Sequence, residues 1–204
     1  MTERATETPG RLPGLTLISY EGKPYRFDPG ALCLELLTTG GPGAFARYEV
    51  LHTPADLVVW ADRSRLPGGL ELAVSEAELA RVRTFRDAFF RLAADRAHGR
   101  PARAELVDAV NAPAAEPSLV SRLTPEGARA WAPGATGTQL LSTVARDAIA
   151  LFSGPYADRI RECGAHDCYL LFVDTSRPGR RRWCAMEHCG NREKVRAHRK
   201  RQQG

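Results

Sequence analysis

Cys163-Gly164-Ala165-His166-Asp167-Cys168 and, fifteen residues on, Cys184-Ala185-Met186-Glu187-His188-Cys189-Gly190-Asn191-Arg192 decide how the last quarter of this chain folds. Each pair of cysteines encloses four residues. Two thiolates from each of two loops can close a tetrahedral four-sulfur shell, the usual holder of structural zinc. A thioredoxin-like redox motif would need a two-residue spacer instead. Between the pairs, Tyr169–Val173 reads as a strand, Ser176–Gly179 as a turn and Arg181–Cys184 as a return strand. That hairpin brings the two pairs together, and the second pair leads into a helix over 191–202. Knuckle, hairpin and helix make a small metal-nucleated module. A segment of ~45 residues with so few apolar side chains does not readily fold alone, so the metal supplies folding free energy.

Iron and two disulfides are the alternatives to zinc. Residues 1–14 carry Glu, Thr, Arg and Pro with no apolar segment, so they read as a disordered leader and not as an export signal. In the reducing cytoplasm that this implies, disulfides are disfavoured. His166 and His188 lie inside the loops and could replace a thiolate. Four cysteines already complete the shell, which leaves both histidines facing solvent. The expectation is one structural Zn2+ on Cys163, Cys168, Cys184 and Cys189, with no open position for catalysis. The fifth cysteine, Cys33, sits in an apolar run and reads as a buried small hydrophobe.

Charge follows the same division. The chain has 204 residues, with 29 Lys and Arg against 24 Asp and Glu, a net charge of +5. Residues 156–204 hold 12 basic and 6 acidic residues, so the remaining 155 carry 17 and 18, a net of −1. A neutral body with a basic end points to an anionic partner there. From Ser176 onward ten basic residues face two acidic ones. Arg177, Arg180, Arg181 and Arg182 fall on the hairpin tip and return strand. Arg192, Lys194, Arg196, Arg199, Lys200 and Arg201 fall on the terminal helix, where Arg192, Arg196 and Arg199 share one face. Such a helix can track phosphates, and an arginine on it can reach guanine edges. Asn191 can bond a base edge or cap the helix. Two or three of the ten cations balance the formal −2 of a four-thiolate zinc centre.

Upstream the pattern is helical. Ser75–Glu78 is a capping box, and behind it Leu79, Val82, Phe85, Phe89 and Leu92 recur at helical spacing, predicting a helix over 76–98. Thr53-Pro54-Ala55-Asp56 opens a shorter helix. Residues 102–110 form another that ends before Pro113, and 138–152 a fourth, carrying Leu140, Leu141, Val144 and Ala148. Leu15–Phe27 and Ser118–Trp131 read as small hairpins, and Gly40–Gly43 as a plain turn. The fold class is therefore α+β: a mostly helical N-terminal domain at 15–155, followed by the zinc module at 156–204. Each part is expected to have its own core, so loss of a cysteine ligand would unfold only the module. No apolar run approaches the ~18–20 residues of a membrane span.

The order Cys163-x4-Cys168, Phe172, Asp174-Thr175-Ser176-Arg177, Arg182-Trp183-Cys184, Met186, Cys189-Gly190-Asn191-Arg192 and Lys194 resembles the CGNR zinc-finger family. The resemblance covers about 161–201. It implies a treble-clef-like finger behind an N-terminal ABATE domain, a region associated with stress-induced transcription regulation. Leu34-Glu35-Leu36-Leu37-Thr38-Thr39 resembles that domain's Leu-Asp-Phe-Val-Asn-Thr signature. It departs at the acidic residue, at both following apolar residues and at the Asn, where Thr38 stands. The resemblance implies a zinc-dependent, DNA-binding transcriptional regulator whose N-terminal domain senses a ligand or stress signal. The expected contacts to duplex DNA are Arg177, Arg180, Arg181, Arg182, Asn191, Arg192, Lys194, Arg196, Arg199 and Lys200.

Two other readings compete. An RNA-binding or translation-associated zinc protein would show exposed aromatics for base stacking. Tyr169, Phe172 and Trp183 instead fit the hairpin core. An enzyme with a structural zinc module would need a nucleophile, base and acid constellation. None is readable, and His52 and His98 are isolated. The sequence leaves open the DNA site, a small-molecule effector and a homodimer.

Overall fold

The computed structural model describes residues 14–19 and 21–202. The expected leader, Gly14 apart, lies outside the described residues. About half of the chain is helical, with small β-hairpins and a C-terminal cluster of four cysteines. No described helix is long and apolar enough to cross a membrane.

The first hairpin pairs β1 (Leu15–Ile18) with β2 (Pro24–Phe27), antiparallel. The short apolar run then becomes α1 (Leu32–Leu36), every residue of it buried. Its Glu35 is fully buried and accepts hydrogen bonds from the backbone N–H of Arg65 (2.8 Å) and from its Nε (3.0 Å). This carboxylate fixes the chain leaving α2 (Pro54–Arg63), whose Thr53–Asp56 capping box forms as the sequence predicts. The glycine turn leads into a 3-10 stretch at Gly43–Tyr48. Gly40 requires its residue type: φ is +138°, and a Cβ would meet Arg86 Nη1 at 2.9 Å and Glu49 Cα at 3.0 Å.

Three helices build the core. These are α3 (Glu76–Ala97), α4 (Ala104–Ala114) and α5 (Gly137–Ser153). The apolar stripes of α3 and α5 face inward, with Leu79, Val82, Phe85, Phe89, Leu140, Leu141 and Val144 all buried. β3 (Leu72–Ala73), just before α3, pairs parallel with β6 (Ala135–Thr136), just before α5, and β4 (Ser121–Leu123) and β5 (Arg129–Trp131) form an antiparallel hairpin between α4 and α5 in the chain. α4 runs through Pro113 rather than stopping before it. A proline in the last turn removes one hydrogen bond only, and Ala115 N–H closes the end on the carbonyls of Asn111 and Ala112.

Two expectations for the C-terminal part are corrected. β8 (Leu171–Val173) pairs with β7 (Ile160–Glu162), not with Arg181–Cys184. The latter segment forms no strand because its backbone groups are taken elsewhere. Arg181 N–H donates to Asp174 Oδ2 (2.9 Å), and the Arg182 carbonyl accepts from Gly164 N–H (2.8 Å). Nor are the cores separate. Leu171 and Val173 belong to the same apolar cluster as Phe89, Leu92 and Val144. Phe27 and Phe45 pack with Phe172 and the zinc-loop cysteines. Val173 N–H donates to the Pro29 carbonyl (2.8 Å), and His98 Nε2 lies 2.9 Å from Glu162 Oε2.

Candidate metal centre and basic surface

β7 ends directly at Cys163, and the following loop turns back to β8. Cys163 N–H bonds the Leu170 carbonyl (2.9 Å), and Cys168 N–H bonds the Ala165 carbonyl (3.1 Å), which closes the first knuckle. The second pair spans a π-helical turn, Met186–Gly190, whose Gly190 N–H bonds the Ala185 carbonyl (3.0 Å). Gly190 is packed so closely that a Cβ would lie 2.7 Å from Met186 Sδ and 3.2 Å from Trp183 Cδ1. A larger residue there displaces the exposed end of Met186 and crowds Trp183.

The four Sγ atoms of Cys163, Cys168, Cys184 and Cys189 all lie within 4.8 Å of one another, with Cys168 and Cys184 3.9 Å apart. A tetrahedron with Zn–S of ~2.3 Å has edges of ~3.8 Å, so the donor set and its spacing fit one structural zinc. Three of the four residues are buried. Hydrogen bonds from the thiols of Cys168, Cys184 and Cys189 pull the Cys163 thiol far below the ordinary thiol range. Cys184 N–H also donates to its sulfur (3.3 Å). The same thiol contacts push the Cys168 and Cys184 thiols up, so the four sulfurs share their protons as one unit. Cys33 is buried elsewhere, its N–H bonded to Asp147 Oδ2 (2.8 Å), and burial pushes its thiol up.

The structure sorts the basic residues into two sets. Arg181, Arg192 and Arg196 are engaged within the protein. Arg181 donates to the carbonyls of Trp183 (3.1 Å), Cys184 (2.6 Å) and Asp28 (3.1 Å), and its guanidinium stacks 4.1 Å over Phe172. Expected to contact DNA, it instead ties the second knuckle to the N-terminal hairpin. Arg192 Nη2 bonds Asp167 Oδ1 and lies 3.9 Å from Cys189 Sγ, so it braces the two zinc loops against each other. Arg196 Nη1 pairs with Glu193 Oε1 at 2.7 Å. The second set, Arg177, Arg180, Arg182, Lys194, Arg199 and Lys200, is exposed and forms no side-chain ion pair among the described residues, Arg182 stacking 5.0 Å over Trp183. Asn191 is exposed at the start of α6 (Asn191–Gln202) and makes no side-chain hydrogen bond within the described residues.

α6 has no buried residue. It presents Arg192, Val195, Arg196, Arg199 and Lys200 to a cleft of about 1500 Å³, whose other wall is β1, β2 and α2. Lys194, Ala197 and Arg201 lie on the opposite face of the helix. Tyr25 and His188 stack at 4.3 Å near one end of the cleft, and burial lowers the His188 pKa.

Sequence reasoning missed Asp174, Asp167 and Glu187. Asp174 is fully buried and accepts from Ser176 N–H (3.0 Å), Ser176 Oγ (2.6 Å) and Arg181 N–H. Burial works to raise its carboxyl, but those donors prevail and hold it below the usual range. An Asp two residues before a Ser at the end of a strand is the local signal that could have found it. Glu187 accepts from the backbone N–H of Arg26, 161 positions away (2.7 Å), and no local pattern reveals that bond.

Residues 30–155 match the ABATE family, described as "Putative stress-induced transcription regulator", and residues 159–202 match the CGNR zinc finger. The first match covers more than half of the chain. No curated protein matches it.

Proposed function

The chain belongs to the ABATE family and carries a CGNR zinc finger behind that region, and from this premise we propose that it is a zinc-dependent regulator of transcription that grips duplex DNA with its C-terminal part, 156–204. The observation that carries the reading is α6: twelve residues, six of them Lys or Arg, with no side chain buried. Packing does not hold such a helix, and its charges repel one another. It stays in place because its first turn continues the zinc loop through Cys189 and Gly190. The metal therefore serves to present a cationic helix, and the ligand that rewards this is a polyanion.

Exposed Arg177, Arg180, Arg182, Lys194, Arg199 and Lys200 are the residues available for phosphates, with Asn191 for a base edge or sugar. The test is selection of bound sequences from a random duplex pool with RNA as competitor, followed by salt titration. With four to six phosphate contacts, log K should fall against log salt with a slope of about −4 to −5. Lys194→Ala should reduce that slope by about one without changing the selected sequence. A salt-independent affinity, or full displacement by RNA, would refute duplex DNA as the partner.

A further inference from the structure

The cleft between α6 and the N-terminal wall combines two features that seldom share a surface. Ile18, Val50 and Val59 on one side and Val195 on the other are 63, 53, 47 and 50 % exposed, and all four line it. An apolar patch left open to water on a folded protein marks a binding surface. On the same cleft, Arg199 and Lys200 are exposed and form no ion pair among the described residues, whereas its acidic groups are engaged. Glu21 pairs with Lys23, Asp167 holds Arg192, Asp56 caps α2 and Glu187 takes the Arg26 N–H. What remains uncompensated is positive charge at the rim and apolar surface on the floor. Thr38, half-buried in this floor, has its hydroxyl bonded to the Glu35 carbonyl (2.8 Å), so the floor adds no polar demand there.

We propose that this cleft binds an amphiphilic carboxylate, its alkyl or aromatic body on Val59, Val50 and Ile18 and its anionic head on Arg199 and Lys200. At about 1500 Å³ the cleft exceeds the ~300–1,000 Å³ of an enclosed small-molecule pocket and suits an elongated ligand that stays partly open to solvent. Occupancy neutralises two of the cations proposed to contact phosphate, so the ligand lowers affinity for DNA. The binding itself stands apart from the DNA reading, and only the coupling rests on it.

The test uses the full, zinc-loaded chain in calorimetric titrations with three probes of one chain length: decanoate, decanol and decyltrimethylammonium, each below micelle formation. Decanoate should bind about tenfold tighter than decanol, and the cation not at all. Val59→Asp, and separately the double change Arg199→Gln with Lys200→Gln, should each weaken decanoate by about tenfold with zinc content and melting temperature unchanged. Saturating decanoate should also reduce the salt slope for DNA by about two contacts' worth. Equal binding of the three probes, or decanoate binding that survives both variants, overturns the cleft assignment. An unchanged DNA slope at saturation overturns the coupling. Selective decanoate binding by a chain that holds no DNA at any salt supports the cleft and removes the DNA reading instead.

Discussion

At the scale of single residues, arginine is the least legible side chain in this sequence. Arg192 follows directly on the Cys189-Gly190-Asn191 run, and position alone is compatible with reading a base or with bracing the metal loops. In the structure its partner is Asp167, 25 positions away in the other loop, which favours bracing. Residues that orient metal ligands typically cost ~10–100-fold in metal affinity when removed. Arg192→Ala should therefore speed zinc release to a chelator by a factor of that order and leave the selected DNA sequence unchanged. A shifted sequence preference at normal zinc content would restore the base-reading role. Arg86 illustrates the same point in the helical part. It lies on the long helix yet is only 2 % exposed, and its guanidinium grips Glu49 through two bonds (2.8 and 2.7 Å). Nothing in the spacing of α3 announces a buried cation, because Glu49 comes from a different loop. Burial works to raise the Glu49 carboxyl, but Arg86 prevails and the net shift is downward. A carboxyl depressed in the folded state contributes stability above its unfolded pKa, and that contribution is lost as pH falls through the folded value. Glu49→Gln should thus cost about 2 kcal/mol at pH 7, since it leaves buried Arg86 with the more exposed Asp87 carboxylate (3.0 Å) as its remaining counter-charge. The deficit relative to wild type should shrink steadily as pH falls below ~4, measured by urea unfolding at each pH.

Elements were easier to read than the joints between them. The helices over 76–98 and 138–152, the two N-terminal hairpins and both capping boxes follow from local periodicity and turn chemistry, and the structure contains them. The misread hairpin in the metal module shows where local reading stops. Tyr169–Val173 and Arg181–Cys184 each have strand-like composition, but a ladder also needs backbone groups free to pair. Asp174 and Gly164 take those of the second segment. Glu78 shows a joint that is invisible in sequence. It completes the α3 capping box by accepting from Ser75 N–H (2.9 Å), and its other oxygen accepts from Thr138 N–H (2.8 Å) and Oγ1 (2.9 Å) at the start of α5. One carboxylate therefore serves two helix N-termini, where negative charge also suits both dipoles. Removing an ordinary cap costs ~1 kcal/mol, and bonds to a charged acceptor add ~1.5–3. Glu78→Ala should destabilise the chain by about 2–3 kcal/mol, whereas Ser75→Ala should cost only about 1. Hydrogen exchange should show the first turns of both α3 and α5 loosened in the Glu78 variant, and only α3 in the Ser75 variant. Loosening confined to α3 in both would mean that the bridge to α5 contributes nothing.

For the whole molecule, the sequence showed a cysteine cluster at one end and helical stripes at the other, and charge fell on the same side as the cysteines. It could not show that β8 is shared between them. Leu171 and Val173 point into the helical core while Phe172, on the opposite face of the same strand, points into the metal module. A three-residue strand carries no readable alternation, so this two-sided role left no trace in the pattern. The consequence concerns what zinc stabilises. Each of these side chains, if exposed, forfeits ~1.5–3 kcal/mol, so losing the strand's seat removes several kcal/mol from a structure with a margin of only ~5–15. The β1–β2 hairpin loses support as well, because Tyr25 stacks on His188 and Arg26 N–H is held by Glu187. Chelation of the metal, or Cys163→Ser, should therefore lower the melting temperature of the entire chain and weaken exchange protection in α3. It should not melt the C-terminal part alone. The measurement is hydrogen exchange along α3 with and without chelator, at a temperature where the zinc-loaded chain is fully folded. Unchanged protection at Phe85, Phe89 and Leu92 after complete metal removal would show that the helical core closes without β8.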